Sequence, residues 1–311
     1  MAARVLLKEG SIAVFLLVIL GIMVLEHQDG RVRSYPPSNS NNPNVVTTTS
    51  NDRAGEARAA IQSCRIESLQ DIKQFFSYFD QDKYKCLNKK SFGGTESYGL
   101  NRLIKFTDGY KYVCLDPGVA PPPSHCLVYS FGINDEWSFD DAMGVYGCEV
   151  FSFDPTMAMK DHQRSPKVTF LHLGLSNIRG RQTIGSRKCE VDRLGGIKDR
   201  LGHTGRRIDV LKMDIEKMEV EVLEEVLSHQ PELLTSVTQL AIEIHPGAYK
   251  GQILSIPTNI FQRFWRIFQQ LKCLGFLLLH WNYNPAVSNR YWWQGSRQST
   301  CYEIVWLRPP A

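Results

Sequence analysis

The chain has 311 residues, 43% of them hydrophobic, with 36 Lys and Arg against 32 Asp and Glu and a formal charge of +4. That length suits one large domain with extensions or two small ones, and the apolar share is enough for a real core. The small positive excess makes no case for a nucleic-acid partner, which calls for a concentrated basic face.

Ser11 to Leu25 reads SIAVFLLVILGIMVL, fifteen residues without a charge, preceded by Arg4 and Lys8. A spanning helix needs about 20 apolar residues, and a long flanking lysine extends a slightly short run by reaching outward. A cleaved signal peptide wants small residues at its end, and Leu25-Glu26-His27-Gln28 offers none. Residues 1–27 are therefore expected to be an uncleaved signal anchor and transmembrane segment. The body would lie in the lumen of the ER or Golgi, or be secreted if the segment is cleaved. Residues 28–55 are rich in Pro, Ser, Asn and Thr and lack periodicity, which predicts a disordered stem.

Residues 56–123 read as an extension. Leu69, Ile72, Phe76 and Phe79 recur at helical steps, and LIKFTDGYKYVCL alternates around Asp108-Gly109 as a hairpin would. The eight cysteines form no CxxC pair, which speaks against a zinc knuckle; in a lumenal body they permit disulfides, with Cys114–Cys126 the first candidate.

From 124 to 311 the pattern alternates. CLVYSFG, CEVFSFD, KVTFLHL, IDVLKMDIE and TQLAIEIH read as strands separated by helical stretches, and GFLLLHW and TCYEIVWL as a final strand pair without a helix between them. Near-continuous apolar strands alternating with helices predict an α/β domain with a mostly parallel sheet covered on both faces.

In such sheets ligands bind beyond the carboxyl ends of the strands. The first strand ends at Ser130-Phe131-Gly132-Ile133-Asn134: the glycine permits close backbone approach, and Asn134 offers a donor and an acceptor. The second ends at Asp154, 22 residues after Gly132, where an acid is placed to accept ribose hydroxyls. The fourth ends at Asp214-Ile215-Glu216, whose two-residue period sets both carboxylates on one side, and the fifth at Glu243-Ile244-His245. Asp135, Glu136 and Asp140 either touch the ligand or cap the following helix.

The order SFGIN, FDP, DVLKMDIE and IEIHP resembles the FkbM-type class I S-adenosylmethionine-dependent methyltransferases, in particular their animal methyltransferase-like protein 24 group, from about Gly109 to Pro309. The resemblance implies a Rossmann-like seven-stranded sheet ending in an antiparallel hairpin, with S-adenosyl-L-methionine as cofactor. It implies that Gly132 and Asn134 line the cofactor and that Asp154 holds its ribose. Asp214, Glu216 and Glu219 match the family's strand-four pattern, whereas Lys217 and Met218 replace a small pair. Ser130 stands where many methyltransferases carry an acid.

Methyl transfer needs alignment and removal of the acceptor's proton, so His245 is the expected base, with Asp214 or Glu216 orienting it or holding the acceptor. The acceptor, whether a small molecule, a glycan or a protein, is open. NIRGRQTIGSRK (177–188) reads as a lid or a solvated loop. The aromatic stretch 280–297, with Trp281, Tyr283, Tyr291, Trp292 and Trp293, reads as an acceptor wall, local packing or a membrane-surface contact. Three other classes stay open: a Golgi-type glycosyltransferase using Asp214-Ile215-Glu216 as a metal site, a non-catalytic cofactor-binding scaffold, and a nicotinamide-binding protein, which the missing glycines disfavour.

Overall fold

The computed structural model of the protein describes residues 50–81, 83–99, 104–249, 258–284 and 289–310. The expected anchor over 1–27 and most of the stem lie outside them. Among the described residues no helix is long and apolar enough to cross a membrane. The last stem residues belong instead to α1 (Ser50–Ser63), where Ala, Glu and Arg supply strong helix formers.

The apolar face expected across 56–80 is interrupted. Asp71, in extended conformation, accepts a hydrogen bond from Lys73 N and starts a separate short helix, α2 (Ile72–Ser77), which a one-turn 3-10 segment extends to Asp80. Phe75 and Phe79 carry this unit into the main core against Phe268 and Tyr302.

The expected hairpin at Asp108-Gly109 is not one. β1 (Lys89–Phe92), β2 (Thr95–Gly99), β3 (Ile104–Asp108) and β4 (Lys111–Cys114) follow in order, but β3 pairs with β2 and β4 with β1. The chain turns at Gly109, with φ +81°, into a different ladder. What pulls β4 away is the central sheet.

That sheet is built from β5 (Leu127–Phe131), β6 (Glu149–Phe153), β7 (His162–Ser165), β8 (Val168–Leu171), β12 (Ile208–Met213), β13 (Val237–Ile244), β14 (Leu277–Tyr283) and β17 (Tyr302–Leu307), in the order β14-β17-β13-β12-β5-β6-β8-β7. Gln239, buried on β13, accepts from Cys114 N and donates to Cys114 O, both at 2.8 Å, and so pins β4 to the sheet. Strands β8, β6, β5, β12 and β13 are parallel neighbours, and β17 inserts antiparallel between β13 and β14. The alternating pattern thus forms as expected, with one strand more. Polar β7 lies antiparallel on β8 at the far edge, and its sequence, HQRS, carries no apolar signal.

Helices cover both faces. α3 (Ser138–Tyr146) packs on one side, and α5 (Glu219–His229) and α7 (Asn259–Cys273) on the other. Residues 177–188 form the hairpin of β10 (Gly180–Ile184) and β11 (Arg187–Asp192), which pairs with the short β9 (Gly174–Leu175) and leads into α4 (Leu194–Arg200). Short α6 (Glu232–Thr235) precedes β13. Most of the aromatic stretch packs on the core: Trp281, Tyr283, Tyr291 and Trp293 lie against it, and only Trp292 is largely exposed, on β15 (Arg290–Trp293), paired with β16 (Ser296–Ser299).

The disulfides are Cys64–Cys273, Cys86–Cys114 and Cys126–Cys148, not Cys114–Cys126. Cys114 sits on β4 and faces the preceding loop, whereas Cys126 joins the starts of β5 and β6. Spacing alone could not separate these pairings. Cys189 and Cys301 are free and buried.

Candidate active site

A cavity of about 510 Å³ opens at the carboxyl ends of β5, β6, β12 and β13. Its floor depends on Gly132. This residue has φ +78°, and a Cβ placed there would lie 1.7 Å from Asp214 O, so the loops after β5 and β12 approach as closely as they do only because position 132 has no side chain. Asn134 and Asp135 come next, at φ +44° and +64°, a left-handed bend that short polar residues tolerate best.

Asp154 holds that bend from below. Its Oδ2 accepts from Ile133 N (3.0 Å) and Asn134 N (2.9 Å), and its Oδ1 from Thr156 N (2.8 Å) and Thr156 Oγ1 (2.6 Å). The carboxylate that spacing predicts as a ligand group therefore has four protein donors. Asn134 and Asp154 both line the cavity. The acidic neighbours divide their work: Glu136 lines the cavity and accepts from Ser138 N at the start of α3, while Asp135 accepts from Trp137 Nε1. Ser130 does not reach the cavity. It is fully buried and donates to Asp140, which also accepts from Ser152 and whose pKa burial raises to about 6. The serine faces α3, on the far side of the strand from the expected contact.

On the opposite wall, β12 ends at Met213, so Asp214 and Glu216 stand in a loop rather than on a strand. Glu216 and Lys217 are left-handed, at φ +52° and +78°. Both Asp214 and Glu216 line the cavity, although Glu216 is mostly exposed. The fully buried Glu219 shapes this loop, accepting through Oε1 from Ile215 N (3.3 Å) and Lys217 N (3.2 Å).

The same Oε1 lies 3.0 Å from His245 Nδ1. Burial alone would lower the imidazole pKa. The hydrogen bonds to Cys301 and Glu219 and the negative charge of Glu219 outweigh it and push the value up to about 11. The raised pKa favours the imidazolium at neutral pH, a form with no lone pair with which to act as the expected base. Its orienting partner is Glu219, not Asp214 or Glu216; Glu216 stays 3.9 Å from Nε2.

The deep end of the cavity leaves little trace in the sequence. Lys111 Nζ, buried, forms an ion pair with Glu303. Burial would lower its pKa, but the charges of Glu303 and Asp214 hold it above the usual lysine value. Glu243 shows the reverse: burial first, then Glu303 and Asp214, raise it to about 10, so it keeps its proton. Asn284 donates to Glu243 Oε1 (2.7 Å), and Asn289 donates to Asn284 (3.0 Å). A lysine opening β4, in an otherwise apolar alternation, was the one visible signal. The partners of the other residues arrive from strands far apart in sequence.

Ligand atoms of Asp214, Glu216 and His245 lie within 4.8 Å of one another, as do those of Glu243, His245 and Cys301. Coordination by either set would first require His245 Nε2 to lose its proton.

A family model described as a methyltransferase domain matches residues 66–293. The proteins named probable methyltransferase-like protein 24 from Rattus norvegicus and Homo sapiens are 29% and 28% identical to the chain over 205 and 188 residues. Those alignments cover 63% and 58% of this chain, and the chain spans about half the length of these relatives (55% and 50%). A 16S rRNA (adenine(1408)-N(1))-methyltransferase from Catenulisporales acidiphilia overlaps with a TM-score of 0.30 at 12% identity, over 71% of this chain and 98% of its own, a likeness too slight to carry weight for fold or function. The family match covers more than two thirds of the 311 residues and takes in the glycine bend, its Asp154 clamp and the wall that carries His245, and by it the chain belongs to the methyltransferase-domain family.

Proposed function

We propose that the protein is an S-adenosylmethionine-dependent methyltransferase acting on an acceptor oxygen. The observation that carries this reading is the Gly132 bend, closed on Asp214 O and held by Asp154, in the lining of a cavity with more acidic than basic groups. Asp108, Glu136, Asp154, Asp214 and Glu216 face Lys111, Lys212 and His245 there, a balance that suits a ligand with a sulfonium and an ammonium.

The residues fit such a cofactor with one qualification. The Asp154 oxygens are fully engaged, so a ribose would meet this carboxylate by displacing the Thr156 hydroxyl. The cofactor supplies an electrophilic methyl group. The protein's part is alignment and handling of one proton. Imidazolium His245 stabilises negative charge growing on an acceptor oxygen, and Asp214, within 4.8 Å of the ring, takes the proton. Protonated Glu243 and Asn284 offer hydrogen bonds to a polar acceptor.

The three disulfides support the placement of this body in an oxidising, lumenal compartment, anchored by the apolar segment at 11–25.

Calorimetry of the intact chain with S-adenosylhomocysteine tests the reading. Micromolar binding that Gly132→Ala abolishes is the expected result. Absence of any heat or thermal shift with the native chain would end the proposal and favour a scaffold.

A further inference from the structure

Residues 83–90 read KYKCLNKK and present Lys83, Lys85, Lys89 and Lys90 to solvent; Asp82 precedes them in the sequence and no acidic residue occurs from 83 to 95. At their centre Leu87 is 93% exposed, more than any other large apolar side chain among the described residues. The loop is held, not loose. Asp116 accepts from Leu87 N (2.9 Å) and Asn88 N (2.7 Å), and Cys86 is bonded to Cys114. Tyr84 N donates to Leu278 O (2.7 Å) on the edge strand β14. Beside it a depression of about 490 Å³ is lined by Asp80, Lys83, Tyr84, Lys85 and Lys89. Lys89 Nζ also sits 3.2 Å from His280 Nδ1 and 4.9 Å above the Tyr112 ring. One exposed leucine is ordinary by itself; a leucine held in place with four exposed lysines within four residues of it in sequence is suited to a surface that is both apolar and negatively charged.

We propose that residues 83–90 dock the protein on an anionic phospholipid surface. Leu87 enters the boundary between headgroups and acyl chains, and the lysines meet the phosphates. A sulfated polysaccharide would use the lysines alone and leave Leu87 without a role.

Docking there fixes the orientation of the body. On β4, Cys114 lies at the lysine end and Lys111 at the cavity. β14 starts beside Tyr84 and leads to Asn284 in the cavity wall. The cavity therefore opens away from the lipid, toward an acceptor in the aqueous phase. This placement needs neither the N-terminal segment nor the methyltransferase reading.

The test is amine labelling, read by mass spectrometry, of the full chain reconstituted in phosphatidylcholine liposomes with or without phosphatidylserine. With phosphatidylserine, Lys83, Lys85 and Lys90 should label more slowly by about threefold or more. Exposed Lys160 and Lys272 should not change. Leu87→Asp, a surface change whose unfolding midpoint should match the native chain's, should remove the protection. Equal labelling in both liposomes overturns the proposal. So does protection undiminished in Leu87→Asp, because the contact would then be charge alone, as a polysaccharide would make.

Discussion

His245 Nδ1 and Glu219 Oε1 lie 3.0 Å apart, with the carboxylate wholly buried and the ring nearly so. One side chain from the start of α5 thereby sets the charge of a ring at the end of β13 and also ties down the loop between β12 and α5. Removing the charge of Glu219 should weaken the ring's hold on its proton. In Glu219→Gln the His245 ring should titrate lower than in the native chain, where it should keep its proton through pH 9. Proton NMR of the imidazole resolves the two. Loss of the buried pair should also lower stability by about 3 kcal/mol.

Glu243 gives the second expectation. Its folded pKa, about 10, exceeds the ordinary 4.5, so the folded state binds the proton more tightly than the unfolded chain does. Stability from that difference is fully present below pH 4.5 and is lost as pH rises toward 10. Glu243→Gln keeps the acceptor for Asn284 and has no proton to lose. Its stability, followed by thermal melting, should be close to that of the native chain near pH 5 and exceed it at pH 9, by on the order of 5 kcal/mol, about 1.4 kcal/mol for each pH unit between. A constant difference between the two proteins across this range would mean that Glu243 is ionised in the fold.

Gly132→Ala and Ser130→Ala should part company, although the two residues are neighbours on one motif. The first puts a methyl group into Asp214 O at a positive φ and should cost about 2 kcal/mol or more, with cofactor binding lost. The second removes one 3.2 Å hydrogen bond to Asp140 on the α3 side. It should leave the affinity for S-adenosylhomocysteine within about twofold, a change worth less than one hydrogen bond. Calorimetry on both variants decides whether Ser130 acts on the ligand.

The succession of strands along the chain, and the positions of Gly132, Asp154, Asp214 and His245 beyond strand ends, are legible from period and spacing, because backbone direction fixes where strand ends lie. Side-chain direction on a fully buried strand is not: every β5 side chain is buried, so Ser130 on one face and Phe131 on the other look alike in the sequence. Protonation state is still less accessible. A pKa near neutrality argues for His245 as a base, and the opposite result rests on Glu219, 26 residues away, and on Cys301. The pairing of β4 with β1 is hidden for the same reason, since Gln239 reaches Cys114 across 125 residues.

Lys217 yields the last expectation. It replaces a small residue of the family pattern, which in the sequence suggests a limit on access to the site. The structure gives it another consequence. Lys217 is exposed and is absent from the cavity lining, but its backbone stands at φ +78°, where glycine is at ease and lysine is not. The backbone N–H that Glu219 holds does not depend on the side chain. Lys217→Gly should therefore stabilise the protein by about 0.5–1 kcal/mol, the relief of left-handed strain less the added freedom of the unfolded chain. Cofactor affinity should not change. Denaturant unfolding at constant m-value measures the first and calorimetry the second. A destabilised Lys217→Gly would mean that the lysine side chain makes a contact strong enough to outweigh the strain of its backbone.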